Sequence, residues 1–415
     1  MSQPSPQDGL PPADSLQALD WLNFFLAALL MGFGPFVTVY LADRGWAPED
    51  IGLVLTASGV AGLATQVPAG ELIDKVRAKR AFVGMGIAAV IVAVLTYRLR
   101  PDFPSVCAAA VLQGMTGSII GPGVAAISLG LVGHEALGPR LGRNQRFSSI
   151  GGLTAAAVMG IVGYFVSTRD ILLVAAGLGL PVLWALARIR PGDIHFGRSC
   201  GAPDHHGTDP ERANRADLLK DRRLVTFAIC LFLFQVANAS ILPLVGESLV
   251  QAERRWSSLV MSALIVAPQI VTALLAPWAG RTADSWGRRP LLLIGLGVVP
   301  IRAGFFAFTE DPAPLVVIQS LDGLTGAAMG VLTALVVADL TKGTGRFNLS
   351  LGLVGTLSGV GASLSTSISG FVVERFGQTA GFMSVMAVAL LAVAILWAFM
   401  PETKPSAPPQ SPGLR

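Results

Sequence analysis

Apolar residues run on in stretches of eighteen or more along this chain, separated by short polar breaks. Twelve such stretches are legible, at roughly 17–41, 49–72, 80–99, 104–132, 147–167, 171–188, 223–247, 256–280, 290–309, 314–341, 349–373 and 379–399. About 20 residues of helix rise ~30 Å, the thickness of a bilayer's hydrocarbon core. Inside that layer only helices or closed barrels satisfy their own backbone groups, and runs of this length predict helices. The expected fold is an all-α membrane protein of twelve transmembrane helices. The expected organisation is a disordered N-terminal tail (1–16), a six-helix half (17–188), a central loop (189–222), a second six-helix half (223–399) and a disordered C-terminal tail (400–415). The first fourteen residues hold four prolines and no basic residue, so they lack the charged start of a signal peptide.

Composition agrees with the pattern. Of 415 residues, 52% are hydrophobic and 13% charged, against about 25% charged in a typical soluble domain. This excludes a cytoplasmic enzyme, a nucleic-acid binder and a disulfide-stapled secreted protein. The net charge of +4 reads as membrane topology. With the N-terminus inside, the cytoplasmic segments carry 22 Lys and Arg, the opposite side 7, and Arg302 sits within a span. That bias puts both termini in the cytoplasm of a multi-pass inner-membrane protein. The seven Trp and three Tyr fall near predicted span ends, as an interfacial aromatic belt requires. Cys107, Cys200 and Cys230 form no CxxC pair.

The chain repeats itself. Gln113-Gly114 in span four matches Asp322-Gly323 in span ten at an offset of 209. Gly70 and Asp74 after span two match Gly280 and Asp284 after span eight, and Pro35 matches Pro243. Three markers at one spacing argue for two homologous halves. The loop after span two reads Gly70-Glu71-Leu72-Ile73-Asp74-Lys75-Val76-Arg77-Ala78-Lys79-Arg80, and that after span eight Gly280-Arg281-Thr282-Ala283-Asp284-Ser285-Trp286-Gly287-Arg288-Arg289. A glycine at a helix end permits close packing, and an aspartate at the membrane surface can accept from the first amides of a neighbouring helix.

Two six-helix halves, a long central loop and this paired loop motif resemble the major facilitator superfamily over residues 17–399. The resemblance implies alternating access, with the motif latching the halves on the cytoplasmic side. It makes Gly70 the packing glycine, Asp74 the latch carboxylate and Lys75, Lys79 and Arg80 its basic partners, with Gly280, Asp284, Arg288 and Arg289 as the second copy. Arg77 stands where the family has a second glycine, and Ser285 where it has a first basic residue. Within the superfamily the chain looks most like the twelve-helix drug:proton antiporters. It departs from them at Ala110, where that branch carries an arginine, and in span five, which lacks their proline.

Charges inside the spans carry the chemistry, because each costs at least ~2.5 kcal/mol at mid-membrane. Arg302 in span nine and Asp322 in span ten lie at matching depths and are expected to pair. Two readings stay open: a pair that fastens helices, or a titrating proton carrier. Asp20, at the cytoplasmic end of span one, is the second candidate for proton coupling. The resemblance puts the cavity on spans one, four, seven and ten, where the candidate lining is Asn23, Gln113, Thr116, Gln235, Asn238, Gln319 and Thr325, with Gln269 on span eight. The same residues also suit hydrogen bonds between packed helices. Apart from Arg302, no span holds a mid-membrane cation, which argues against strongly anionic cargo. His195, Cys200, His205 and His206 in the central loop have metal-ligand chemistry, but a linker of chance composition is the favoured reading, and neither metal nor other cofactor is expected.

The function expected is secondary active transport, not catalysis: proton-coupled efflux of a small neutral, zwitterionic or cationic amphiphile by a monomer in contact with membrane lipid and with no nucleic-acid partner. An uptake symporter or facilitator for a sugar or small metabolite is the competing transport reading. A non-transporting membrane sensor or scaffold is the reading from another class.

Overall fold

A computed structural model describes residues 13–165, 168–202, 218, 220–251, 257–309 and 311–404. Among them there is no strand. The first half is six helices: α1 (Ala13–Asp43), α2 (Pro48–Lys75), α3 (Lys79–Leu99), α4 (Phe103–Val132), α5 (Leu137–Phe165) and α6 (Thr168–Arg188). After a short α7 (Phe196–Ser199) come α8 (Arg222–Asn238), α9 (Ile241–Gln251), α10 (Ser257–Trp286), α11 (Arg288–Phe306), α12 (Pro312–Ser320), α13 (Asp322–Leu340), α14 (Phe347–Phe376) and α15 (Gln378–Phe399). Helix α1 begins inside the segment expected to be a tail, and helices of up to 31 residues exceed what a perpendicular crossing needs.

The seventh and tenth spans are each built from two helices. The first break, at Ala239–Ser240, follows from Pro243, which has no amide to give the carbonyl of Ala239 four residues back. The second break, at Leu321, involves no proline. There Leu321 and Leu324 donate to carbonyls three residues back, so the helix tightens for one turn.

Side-chain burial divides into two apolar cores. One is formed by α1 and α3–α6 with Val54 of α2, the other mainly by α8–α15. The sequence repeat reappears as repeated contacts. A Cβ at Gly114 would meet the carbonyl of Ser58 on α2, and one at Gly323 that of Pro268 on α10. Between the halves, Gly70 of α2 abuts Asn348 of α14, and Gly280 of α10 abuts Gly138 of α5. These pairs are related by the offset that relates the two halves of the sequence, so α2·α14 and α5·α10 are two equivalent seams.

The seams are tight at one end only. On α2, Ala69, Gly70, Ile73 and Asp74 are buried, whereas Val54 alone is buried among residues 51–68. On α14 the continuous burial covers 347–350 and gives way to exposed positions beyond 361. The tight end also holds both ends of the described chain: Ser15 donates to Asp193 at 2.6 Å, and the Arg288 amide donates to Glu402 at 2.7 Å. The space between the halves therefore widens away from the termini.

The aromatic pattern needs one correction. Trp21, Trp184, Trp278, Trp286 and Trp397 are exposed on the bundle surface, but Tyr40 and Tyr97 are 1% exposed. The Tyr40 hydroxyl donates to the Tyr97 carbonyl at 3.1 Å, which ties α1 to α3. These two tyrosines belong to the core, not to an interfacial belt.

Candidate functional site

A cavity lies between the halves at the foot of the tight end. Its first part, about 320 Å³, is bounded by Gln66 of α2, Ser118 and Pro122 of α4, Thr333 of α13 and Gly355 of α14. Its second part, about 350 Å³, shares Thr333 and Gly355 and adds Phe234, Gln235 and Ser358. The wall is mostly apolar with a few convergent polar groups, the usual make-up of a small-molecule site. Gln66 Oε1 is buried without a hydrogen-bond partner, beside Gly355.

One helical turn along α8 from Gln235 stands Asn238, which opens onto a charged network. Arg302 is 1% exposed. Its guanidinium donates to Asp322, to Asn238 at 3.2 Å and to Gln319 at 3.0 Å. The Nε of Arg302 is buried without a partner. The pairing expected from matched depth is thus present, and both broken spans contribute to it. Asp322 opens α13 beside the tightened turn, and Asn238 closes α8 beside the proline break. The carboxylate is the exposed member, at 29% for its side chain against 1% for that of Arg302. Arg302 is thus enclosed by protein, while part of the Asp322 carboxylate lies at the surface of the bundle.

Asp20 stands elsewhere. It is 2% exposed and held between Arg140 and Arg143 of α5, the latter at 2.6 Å. Arg140 also donates to Asn144, which donates to Ser128 of α4. Doubly paired and buried at the tight end, Asp20 clamps α1 to α5. Asn23, Gln113, Thr116, Thr325 and Gln269 are not among the residues that bound these two parts of the cavity. Asn23 bonds the Leu19 carbonyl, Gln113 faces the Tyr97 hydroxyl at 3.5 Å, Thr116 bonds the Gln113 carbonyl and Thr325 the Gly295 carbonyl of α11. Gln269 is half-buried on α10. Gln66, Ser118, Thr333 and Ser358 line the space instead. Gln66 carried a sequence signal, as an amide in the middle of an apolar run. The hydroxyls did not, because they also satisfy themselves on their own helices.

At the tight end the loop motif works unequally in the two halves. The Asp74 carboxylate accepts from the Asn348 amide at 3.1 Å, the Asn348 side chain at 2.8 Å and the Leu349 amide at 2.9 Å. It thereby caps α14 of the other half, where the helix dipole favours an anion. The expected basic partners separate. Lys79 is buried next to it, donating to the Ile73 carbonyl and to Cys200 at 3.3 Å. Arg80 staples α3 to the end of α6 through the carbonyls of Ala187 and Ile189, within one half. Lys75 pairs with Glu71 one turn back at 2.8 Å and is half-exposed. In the second copy, Asp284 lies over Gly138 at the start of α5 and pairs with Arg288 at 3.2 Å. Arg288 also binds Asp339 at 2.8 Å, and the Arg289 amide donates to Glu402 at 3.1 Å. Asp339 and Glu402 complete this cluster.

The central segment was expected to be a loop; its described part is packed. The His195 amide donates to the Gly130 carbonyl of α4. Farther on, the Phe347 amide donates to the Cys200 carbonyl at 3.0 Å, and the Asn348 side chain donates to the Ser199 carbonyl at 3.0 Å. Gly201 takes a φ of +76°, and a Cβ there would sit 3.3 Å from Phe347 and Thr341. Cys200 is fully buried and its thiol donates to the Asp74 carbonyl at 3.1 Å. Burial pushes that thiol above its ordinary pKa, with the Lys79 ammonium pulling the other way. Residues 194–202 thus form a wedge touching both halves at the closed end. His205 and His206 lie outside the described residues, and among those described no group of His, Cys, Asp and Glu has metal-site geometry.

The family model of the Major Facilitator Superfamily matches residues 20–224 and 227–415. The chain belongs to this superfamily. An MFS-type transporter of Mycobacterium tuberculosis is 37% identical over 397 residues, 94% of each chain. The class B tetracycline resistance protein of Escherichia coli is 30% identical over 135 residues, 32% of this chain and 33% of that one. A multi-drug resistance efflux pump of Streptococcus pneumoniae is 31% identical over 137 residues, 32% and 33% of the two chains. Among solved structures, the E. coli fucose:proton symporter superposes with a TM-score of 0.71 at 14% identity, covering 92% of this chain and 97% of that one. That likeness establishes the fold. The chain is a major facilitator transporter, and its apolar helices make it a multi-pass membrane protein.

Proposed function

We propose that this major facilitator protein expels a small neutral, zwitterionic or cationic amphiphile in exchange for protons, with both termini in the cytoplasm of the inner membrane. The observation that carries the reading is the network of Arg302, Asp322, Gln319 and Asn238, with Asn238 one helical turn along α8 from Gln235 of the cavity wall. Protonation of Asp322 neutralises the partner of a dry guanidinium, which changes the stability of both broken spans. That couples proton occupancy to the shape of the cavity wall. The apolar lining with isolated amides and hydroxyls suits an amphiphile, and partial relatives include a tetracycline resistance protein and a multidrug efflux pump. The excess of Lys and Arg at the closed end supports the orientation, so the cavity opens to the outside in this state.

Proteoliposomes preloaded with a pH-sensitive dye test the reading. Addition of a lipophilic cation such as ethidium to vesicles with an inside-acid gradient is expected to release protons in step with cation accumulation. Asp322→Asn should abolish the coupled proton flux. Full coupled flux in that variant would reject Asp322 as the carrier.

A further inference from the structure

A second cleft opens on the lipid-facing surface of the α5·α10 seam, remote from the cavity between the halves. It measures about 440 Å³ and is bounded by Arg143, Arg146, Phe147 and Ile150 of α5 and Pro277 and Arg281 of α10. We propose that this cleft binds the headgroup of an anionic phospholipid, which bridges the two halves and stabilises the closed end.

Charge is the first argument. Three guanidiniums converge there. Asp20 is already shared by Arg140 and Arg143, and among the described residues neither Arg146 nor Arg281 has an ion-pair partner. Guanidinium groups bind phosphate through paired N–H donors. Unneutralised like charges packed together repel, and an anion removes that cost.

The surroundings decide between a lipid and a free anion. From the cleft an apolar stripe runs along α10 away from the termini: Trp278, Leu274 and Ile270 are exposed at helical spacing. A matching stripe on α5 includes the exposed Val158 and Ile161. Acyl chains fit this surface; inorganic phosphate has no use for it. Trp21 lies beside Phe147, with ring centroids 6.2 Å apart, and Trp278 beside Pro277. Exposed tryptophans mark headgroup depth, which places the guanidiniums at the level of lipid phosphates. The cations come from both sides of the seam, Arg143 and Arg146 from the first half and Arg281 from the second. A headgroup held by all three is present only while Gly138 and Gly142 pack against Gly280 and Ala276.

The test is a thermal melt of the purified full-length protein in neutral detergent, titrated with dioleoylphosphatidylglycerol, dioleoylphosphatidylcholine or glycerol phosphate. The anionic lipid is expected to raise the melting temperature saturably, and added salt to reduce the rise. The other two additives should leave it unchanged. Arg146→Gln with Arg281→Gln should abolish the rise while leaving the lipid-free melting temperature at or somewhat above that of the unaltered protein, because the repulsion is relieved, whereas Arg222→Gln with Arg223→Gln should keep the rise. A rise retained in the first pair, or matched by glycerol phosphate, overturns the proposal. Photocrosslinking to the unaltered protein supplies a readout independent of any variant. A photoactivatable phosphatidylglycerol should label the peptides around 143–150 and 277–281, and labelling confined to other surfaces overturns the proposal as well.

Discussion

At the residue scale the molecule turns on one asymmetric pair. Arg302 is enclosed and Asp322 is partly exposed, so the two cannot be removed with equal consequence. Deleting one partner of a buried pair strands the other and costs roughly 3–5 kcal/mol, while replacing both by apolar groups is often neutral. Exposure of Asp322 moves the single deletion to the lower end of that range. Asp322→Asn is therefore expected to lower the melting temperature of the detergent-solubilised protein, and Arg302→Met combined with Asp322→Leu to recover most of the loss. Neither should couple proton flux to transport. A double variant no more stable than the single would mean that Asn238 and Gln319, not the carboxylate, hold Arg302. This pair was legible in the sequence because an Arg and an Asp at equal depth in neighbouring apolar spans have few ways to be solvated except by each other. Asp20 was not legible as a clamp. Its partners lie 120 and 123 positions on, and a carboxylate near a span end looks the same whether it titrates or is doubly paired.

At the scale of elements, hydropathy announces the helices and misplaces what joins them. Pro243 accounts for the break in the seventh span, but the break at Leu321 has no proline to announce it; it accompanies the Asp322 contact to Arg302. The central segment misleads most. Its polar composition describes a solvated linker, yet Ser199 and Cys200 are buried because their carbonyls accept from α14, a contact 147 to 149 residues away that no local pattern encodes. The wedge gives the closed end a reporter. In a background with Cys107→Ser and Cys230→Ser, Cys200 should react slowly with N-ethylmaleimide, since burial both hides the thiol and keeps it protonated. Gly70→Ala places a Cβ inside the Asn348 backbone, so α2 and α14 must part. Labelling of Cys200 is then expected to accelerate at least tenfold, which corresponds to a loss of about 1.4 kcal/mol of closure. An unchanged rate would show that the wedge stays seated when the seam opens.

At the scale of the whole molecule, the duplication gives two equivalent seams but not two equivalent latches. The α2·α14 seam is held by a carboxylate of one half capping a helix of the other, with Cys200 and Lys79 packed behind it. At the α5·α10 seam, Asp284 pairs with Arg288 of its own half, which also holds Asp339, so the close glycine packing of that seam is not joined by a carboxylate cap of the kind Asp74 gives α14. Asp74 thus ties the two halves at the closed end through three hydrogen bonds to a carboxylate. Hydrogen bonds to a charged group contribute ~1.5–3 kcal/mol each when lost, and Asp74→Asn keeps one or two weaker ones, so a net loss of about 2 kcal/mol is expected. A two-state transporter shifts by that amount toward the opposite opening, a change of roughly 30-fold in the equilibrium. Ser358 lines the cavity between the halves and reports which way it opens. In a cysteine-free background, Ser358→Cys in inverted and right-side-out vesicles should react with an impermeant methanethiosulfonate mainly from the face opposite the termini. Adding Asp74→Asn should slow that reaction and speed the one from the terminal face. Equal labelling from both faces before and after the change would mean that the carboxylate caps α14 without holding the gate.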